Sequence, residues 1–380
     1  MTHILSPLPV DPRDPAAILE DLEAAIAGQA TLLPLPANDL TRAELLRNHM
    51  RAGEPIDSSI ALVVATSGST GTPKGAQLTA ANLVSSADAT HRALGGTGQW
   101  LLAMPASHIA GIQVLVRSLV AGVEPLCLDL SHGFNIGDFA SAAHELHATG
   151  DRSYTALTPM QLAKAMETLE GIKALRTFDA ILVGGAATHP QLLDSARKLR
   201  ITIVTTYGSS ETSGGCVYNG APLPSAQVHI GENGRIYLGG PMIAQGYRNV
   251  DSSAFSVDES DTSWFATSDA GALIDGHLTV TGRLDSIINT GGLKLHPEQL
   301  EQHILRVPGV EAACVVGIPD PRLGQMVAAA YSGWASRTDI LEALDDLPRW
   351  QVPKDLLRVD SLPTIGPGKL DRQAVAELFA

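Results

Sequence analysis

The sequence predicts an α/β protein: a large domain of mainly parallel sheets covered by helices, a β-rich subdomain, and a small α+β domain at the C-terminus. Three observations support this. Short β-branched runs alternate with helical stretches from about residue 60 to residue 208; from about Gln227 the chain turns to short segments punctuated by glycine; after Gly282 a new strand and helix pattern begins.

The alternating elements follow in order. IALVVA (60–65) precedes LTAANLVSSADATHRAL, EPLCLDL (124–130) precedes FASAAHELHAT, YTALTP (154–159) precedes MQLAKAMETL, AILVGG (180–185) precedes PQLLDSARKL, and ITIVTTYG (201–208) closes the series. A helix between successive strands leaves room for a crossover, so the strands are expected to lie parallel. VHIGENGRIYLGG and ALIDGHLTVTGR then read as antiparallel hairpins, each folded at a glycine-containing turn. The last part runs GRLDSIINTGGLKLHPEQLEQHILRVPGV, EAACVVGIPD, MVAAAYSG and a helix near 338–345, a small α+β unit. The expected division is a large domain over 1–282, with its β-rich part at about 225–282, a hinge at 283–286 and a small lid domain over 287–380. Neither an internal repeat nor a low-complexity segment interrupts it.

Composition narrows the function classes. With 380 residues the chain can bury a sizeable core in more than one domain. Its formal net charge of −14, without a block of lysines or arginines, argues against nucleic acid as a partner. Cys127, Cys216 and Cys314 stand far apart and form neither a CxxC pair nor a disulfide framework, which fits a reducing cytoplasm. The opening MTHILSPLPVDPRDP has no basic stretch followed by an apolar one, and no apolar run reaches membrane-spanning length, so no integral membrane segment is expected. Nothing in the composition opposes a homo-oligomer.

One stretch concentrates chemistry. TSGSTGTPKG (66–75) follows IALVVA and packs glycines, hydroxyls and a lysine into ten residues. Glycine lets backbone N–H groups turn toward a ligand, hydroxyls add donors and lysine adds a point charge, a combination suited to a phosphate chain. Lys74 follows Pro73 and precedes Gly75, so this is not the Walker A arrangement. A solvated turn is the plain alternative; the density of donors and the strand that fixes the start weigh against it.

Five separated stretches, TSGSTGTPKG, YGSSET (207–212), TSDAG (267–271), GRLDSIINTGGLKLHPEQLE (282–301) and GPGKLDR (366–372), together resemble the ANL adenylate-forming superfamily. Within it the chain is most similar to the o-succinylbenzoate–CoA ligase family of menaquinone biosynthesis, on MPASHIAGIQVLVRSLVAG (104–122), TALTPMQL (155–162) and ILVGGAATHPQLL (181–193). The segment before the phosphate loop is abbreviated relative to a typical member. The resemblance implies a Mg2+- and ATP-dependent ligase that adenylates a carboxylate and passes the acyl group to CoA.

It also implies roles residue by residue. Ser67, Gly68, Ser69, Thr70, Gly71, Thr72 and Lys74 would hold the β- and γ-phosphates, with Thr70 also counted as catalytic. Glu211 would be the magnesium carboxylate, preceded by Ser210 where the family usually has threonine. Tyr207, Gly208, Ser209 and Ser210, with Gly184, Gly185 and Ala186, would line the nucleotide. Asp269, in Thr-Ser-Asp where the family commonly reads Thr-Gly-Asp, would take both ribose hydroxyls, and Arg283 would reach the ribose or a phosphate. Lys369 would bridge the attacking carboxylate and the α-phosphate. Asp285 would be the hinge, and the loop 288–295, with Gly291 and Gly292, would border the pantetheine tunnel.

The acyl pocket rests on fewer residues. His108 falls at the family's gate position beside the acyl group and is counted both as catalytic and as substrate-binding; a satisfied core histidine is its alternative. Arg117 interrupts GIQVLVRSLVAGV, a helix apolar on nearly every side, and a buried guanidinium there needs an anion. That anion is either the spare aromatic carboxylate of the substrate or an acid from the neighbouring sheet. Thr158 and Gln161 are further pocket candidates. Two other functions compete: loading an aryl or amino acid onto a carrier protein, and non-catalytic nucleotide sensing. Retention of Lys74, Glu211, Asp269 and Lys369 argues against the second.

Overall fold

The computed structural model describes residues 2–66, 72–365 and 369–379. The first sheet holds β1 (Thr2–Val10), β2 (Thr31–Pro36), β3 (Pro55–Asp57), β4 (Ile60–Ala65) and β5 (Gly75–Thr79) in the order β3-β1-β2-β4-β5. β1, β2 and β4 run parallel, with β3 and β5 antiparallel at the edges. The sequence pattern names no strand before residue 60, because prolines 7, 9, 34 and 36 mask β1 and β2. In β1 the reason they are tolerated is directional. The Leu5 N–H donates to Glu54 O (3.1 Å) at the end of β3, and β3 pairs only with Thr2, His3 and Ile4. Pro7 and Pro9 share the parity of Leu5, so their missing N–H groups fall on the side where β3 has already ended.

The second sheet holds β6 (Gln99–Leu102), β7 (Leu126–Cys127), β8 (Ser153–Leu157), β9 (Ala180–Val183), β10 (Ile203–Ser209), β11 (Gly214–Tyr218) and β12 (Ala221–Pro222), in the order β12-β11-β10-β9-β8-β6-β7. β6 to β10 are parallel, as the alternation predicts, and β11 and β12 turn back antiparallel. The chain leaves β6 for β7 on one side and returns to β8 on the other. The carboxyl ends of β6 and β8 therefore flank a topological switch point, where open α/β sheets leave a crevice.

Helices cover these sheets: α1 (Leu19–Ile26), α2 (Leu40–His49), α3 (Ala80–Ala93), α4 (Ile109–Ala121), α5 (Ile136–Ala148), α6 (Pro159–Met166), α7 (Leu169–Leu175) and α8 (Pro190–Lys198). One buried cluster joins the first sheet, α3 and α4 to β6 and β8, with Trp100 and Tyr154 fully enclosed; a second lies under α5 to α8 around Phe139.

The β-rich part is antiparallel: β13 (Gln227–Ile230), β14 (Arg235–Gly239), β15 (Phe255–Val257), β16 (Ser263–Ile274) and β17 (His277–Arg283). The C-terminal unit pairs β18 (Ile288–Thr290), β19 (Leu293–Leu295), β20 (Val310–Asp320), β21 (Gly324–Gly333) and β22 (Asp355–Arg358), with α9 (Pro297–Ile304), α10 (Arg337–Ala343), the ribbon β23 (Thr364–Ile365) and β24 (Lys369–Leu370), and α11 (Arg372–Glu377). The β18–β19 hairpin turns on Gly291 and Gly292, φ +60° and +84°, the left-handed pair that a type I′ turn needs. Its core around Ile304, Val315, Ala329 and Ile340 is separate from those of the large body.

Candidate active site

The loop expected to hold phosphate leaves β4 and returns in β5. Its base is closed by the Thr66 N–H donating to Lys74 O (2.7 Å). A remote stretch, 245–249, runs beside β5: Gln77 N–H donates to Gly246 O (2.9 Å), Gln245 N–H to Gln77 O (2.9 Å) and Arg248 N–H to Gly75 O (2.7 Å). From it Asn249 clamps the loop's exit, accepting from Gly75 N–H (3.1 Å) and donating to Pro73 O (2.9 Å). Ser67, Gly68, Ser69, Thr70 and Gly71 lie outside the described residues; Thr72 is exposed at the exit.

Beside this base sits Glu211, in the short turn Ser210–Thr212 after β10 and only 8 % exposed, so it is not a solvated helix-end acid. Tyr247 Oη donates to its Oε1 (2.7 Å), and Lys74 Nζ lies 5.1 Å from the centre of the Tyr247 ring. Burial, with the Glu211 charge beside it, pushes the Tyr247 phenol far above its ordinary range, so it stays a donor. Sequence reasoning missed Tyr247 and Asn249, because QGYRN reads as an ordinary turn. Among the described residues no group of three His, Cys, Asp or Glu side chains could hold a metal. A single buried carboxylate, oriented by a phenol next to a phosphate loop, suits a magnesium ion that takes its remaining ligands from phosphate and water.

The nucleoside candidates gather at the ends of β9 and β10. Gly184 packs against Thr206, where a Cβ would come within 2.2 Å of Thr206 Oγ1; Gly185 and Ala186 follow, exposed. Tyr207 and Gly208 lie in β10, Ser209 ends it and Ser210 opens the turn. Tyr207 Oη donates to Asp269 Oδ2 (2.7 Å), which ties β10 to β16. Asp269 faces Arg283 across the β16–β17 pair, with Arg283 Nη1 at 3.6 Å from Asp269 Oδ1. Burial raises the Asp269 carboxyl above the usual range, opposed by the Tyr207 bond and the Arg283 charge. Tyr207, Asp269 and Arg283 thus form one chain, and Asp285 completes it by accepting from Arg283 Nε (2.8 Å).

The acyl candidates lie below the switch point. His108 occupies the N-cap position of α4 just past β6 and is exposed, so it is not a satisfied core histidine. Arg117, two turns down the same helix, is 3 % exposed. Its guanidinium carbon lies 4.9 Å from the centre of the Trp100 ring, its Nε has no hydrogen-bond partner, and among the described residues no carboxylate forms an ion pair with it. The acid from the neighbouring sheet is therefore absent from the described residues. Burial alone lowers the Arg117 pKa, the mark of a cation in want of an anion. Around it, His91 Nδ1 and Nε2, Trp100 Nε1 and Gln113 Oε1 also lack partners. Burial, then the Arg117 charge, lowers the His91 pKa, so its ring is neutral at pH 7.

Thr158 and Gln161 take a different part from the one expected. Thr158 Oγ1 accepts from Gln161 N–H (3.1 Å), Gln161 Oε1 accepts from Thr158 N–H (2.9 Å), and Gln161 Nε2 donates to Ala103 O (2.7 Å). This is a capping box at the start of α6, which gives both side chains a part in the fold. At the other end of the chain, the Lys369 backbone pairs with Ile365 in the β23–β24 ribbon. Gly291 and Gly292, expected along a pantetheine tunnel, form an exposed hairpin tip with Leu293 and Lys294.

Comparisons with known proteins identify the family and the fold. The AMP-binding enzyme family matches residues 11–248, and the AMP-binding enzyme C-terminal domain matches residues 299–369. The chain is 44 % identical over 377 residues to a probable 2-succinylbenzoate–CoA ligase of Mycobacterium tuberculosis, covering 93 % of this chain and 97 % of that protein. It is 29 % identical over 388 residues to the 2-succinylbenzoate–CoA ligase of Escherichia coli K12, covering 97 % and 81 %. Its fold is similar to that of o-succinylbenzoate CoA synthetase from Bacillus subtilis, solved with an acyl-adenylate intermediate, with a TM-score of 0.80 at 22 % identity over 98 % of this chain and 88 % of that one.

Proposed function

The chain belongs to the AMP-binding enzyme family, and from that premise we propose that it is an AMP-forming acid–CoA ligase acting on o-succinylbenzoate in menaquinone biosynthesis. The observation that supports this substrate is Arg117, a buried guanidinium that forms no ion pair among the described residues. A dicarboxylate supplies the missing charge: its aromatic carboxylate meets Arg117 while its succinyl carboxylate stays near His108 and the phosphate loop.

In the first half-reaction a succinyl carboxylate oxygen bonds to the α-phosphorus of ATP and the bond to pyrophosphate breaks. In the second the CoA sulfur bonds to the acyl carbon, the carbon–oxygen bond to AMP breaks, and the thiol proton is lost. Little covalent work falls to the protein, so positioning and charge stabilisation dominate. Lys74 and the loop 67–72 hold the β- and γ-phosphates. Asp269, aimed by Tyr207, accepts from the ribose hydroxyls, and Gly184, Gly185, Ala186 and Gly208 to Ser210 surround the nucleotide. A bound Mg2+ on Glu211 would neutralise phosphate charge, and Tyr247 fixes the carboxylate that would hold it. Lys369, on the small domain beyond the hinge 283–286, neutralises the attacking carboxylate and the α-phosphate.

Pyrophosphate release is the test, measured with ATP and magnesium over a panel of o-succinylbenzoate, benzoate, medium-chain fatty acids and amino acids, with and without CoA. Turnover on o-succinylbenzoate that continues past one equivalent only with CoA is expected. Activity on another acid, or with a carrier protein in place of CoA, would overturn the substrate or the acceptor.

A further inference from the structure

The segment that carries Lys369 is anchored by a residue three positions on. Arg372 opens α11 and is mostly buried. Its Nη1 and Nη2 donate to the two oxygens of Glu301, and Nη1 also donates to Val315 O (2.8 Å). Glu301 is itself held by the Val315 N–H (2.7 Å). This bidentate pair is sufficient to dock α11.

A second acid on α9 joins it. Glu298 Oε1 accepts from Arg372 Nη2 (3.0 Å) and also from Ser286 Oγ (2.9 Å), on the segment between the large and small units. Its other oxygen, Oε2, is buried without a partner and presses on Gly282, where a Cβ would lie 2.4 Å away. Gly282 has φ +151°, and its bare backbone is what allows the carboxylate to come so close. A carboxylate oxygen buried without a donor is a cost that anchoring Arg372 does not require. Ser286 Oγ also reaches Arg283 O (3.2 Å), and Arg283 leads through Asp269 to Tyr207. A continuous chain of polar contacts thus runs from the nucleotide candidates through the hinge to the Lys369 segment.

Resting on the ligase reading above, we infer that Glu298 is a positioning residue that ties the hinge at Ser286 to the Lys369 segment and so holds this orientation of the small unit. The orientation held is the one in which the tip of the Gly291–Gly292 hairpin is exposed. Releasing Glu298 from the hinge therefore impairs the step that needs Lys369 and spares the step that needs the hairpin.

The experiment compares two half-reactions in the purified full chain: ATP–pyrophosphate exchange with o-succinylbenzoate, and acyl transfer to CoA from preformed acyl-adenylate. Ser286→Ala and Glu298→Ala are expected to lower exchange about fivefold, the worth of one hydrogen bond, with transfer unchanged or faster. Ser286→Thr, which keeps the hydroxyl, restores exchange. Limited proteolysis across 282–287 gives a second readout that needs no turnover, with faster cleavage expected in Ser286→Ala. Equal loss of both half-reactions, or an unchanged ratio and unchanged cleavage, would overturn the role of Glu298. A wild-type protein that exchanges with none of the acids fails at the ligase reading instead, and proteolysis then decides the hinge contact by itself.

Discussion

At the scale of the residue, Arg117 shows how a side chain that weakens the fold points to a ligand. Its charge is out of water, stacked on Trp100, with no acid beside it among the described residues. Replacing a buried ion pair with well-packed apolar groups is often neutral or stabilising, and a lone buried charge carries the desolvation penalty without the return from a partner. Arg117→Met is accordingly expected to raise thermal stability by about 1–4 kcal/mol, read as a rise in melting temperature, while sharply raising the Michaelis constant for the dicarboxylate and much less that for a matched monocarboxylate. A fall in stability would mean that the guanidinium is satisfied within the fold. Arg117 was legible in the sequence because an arginine inside an apolar helix violates the pattern around it. His91 and Tyr247 were not: one follows a polar run at a helix end, the other sits in a glycine turn, and only folding brings them to Arg117 and Glu211.

At the scale of the element, strands and helices were most legible where their periodicity was undisturbed. β8, β9 and β10 follow their apolar runs closely. β1 and β2 were hidden by prolines, and in β1 their harmlessness depends on where β3 stops, which is a tertiary fact. β6, between β8 and the edge strand β7 of the second sheet, is four residues long and lies between glycine-rich and proline-containing segments, so its burial came from neighbours rather than from pattern. Thr158 and Gln161 teach the converse: polar residues after a strand can belong to the helix that follows. Thr158→Ala should cost about 1 kcal/mol of stability, through the lost cap, and leave the preference among acids unchanged. A changed preference in the panel above would return Thr158 to the pocket.

At the scale of the whole molecule, the site is assembled from stretches far apart in sequence: the phosphate loop base is held by 245–249, the ribose candidate by β10 and the acyl floor by α3, α4 and β6. Motifs showed that these stretches belong together; distances between them required the fold. A ligand that spans them should stabilise the chain as a unit. A non-hydrolysable acyl-adenylate analogue with a free aromatic carboxylate, at about a hundredfold excess over its dissociation constant, should add about 2.7 kcal/mol, and an analogue lacking that carboxylate should bind more weakly. Equal protection by both at the same concentration would remove Arg117 from recognition. The stacking of Arg117 on Trp100 has one more consequence. An indole responds to the electric field across its ring, and an incoming carboxylate offsets the charge that now sets that field. Adding o-succinylbenzoate is accordingly expected to shift Trp100 emission before any bond to phosphorus is made, and an unchanged spectrum would count against its contact with Arg117.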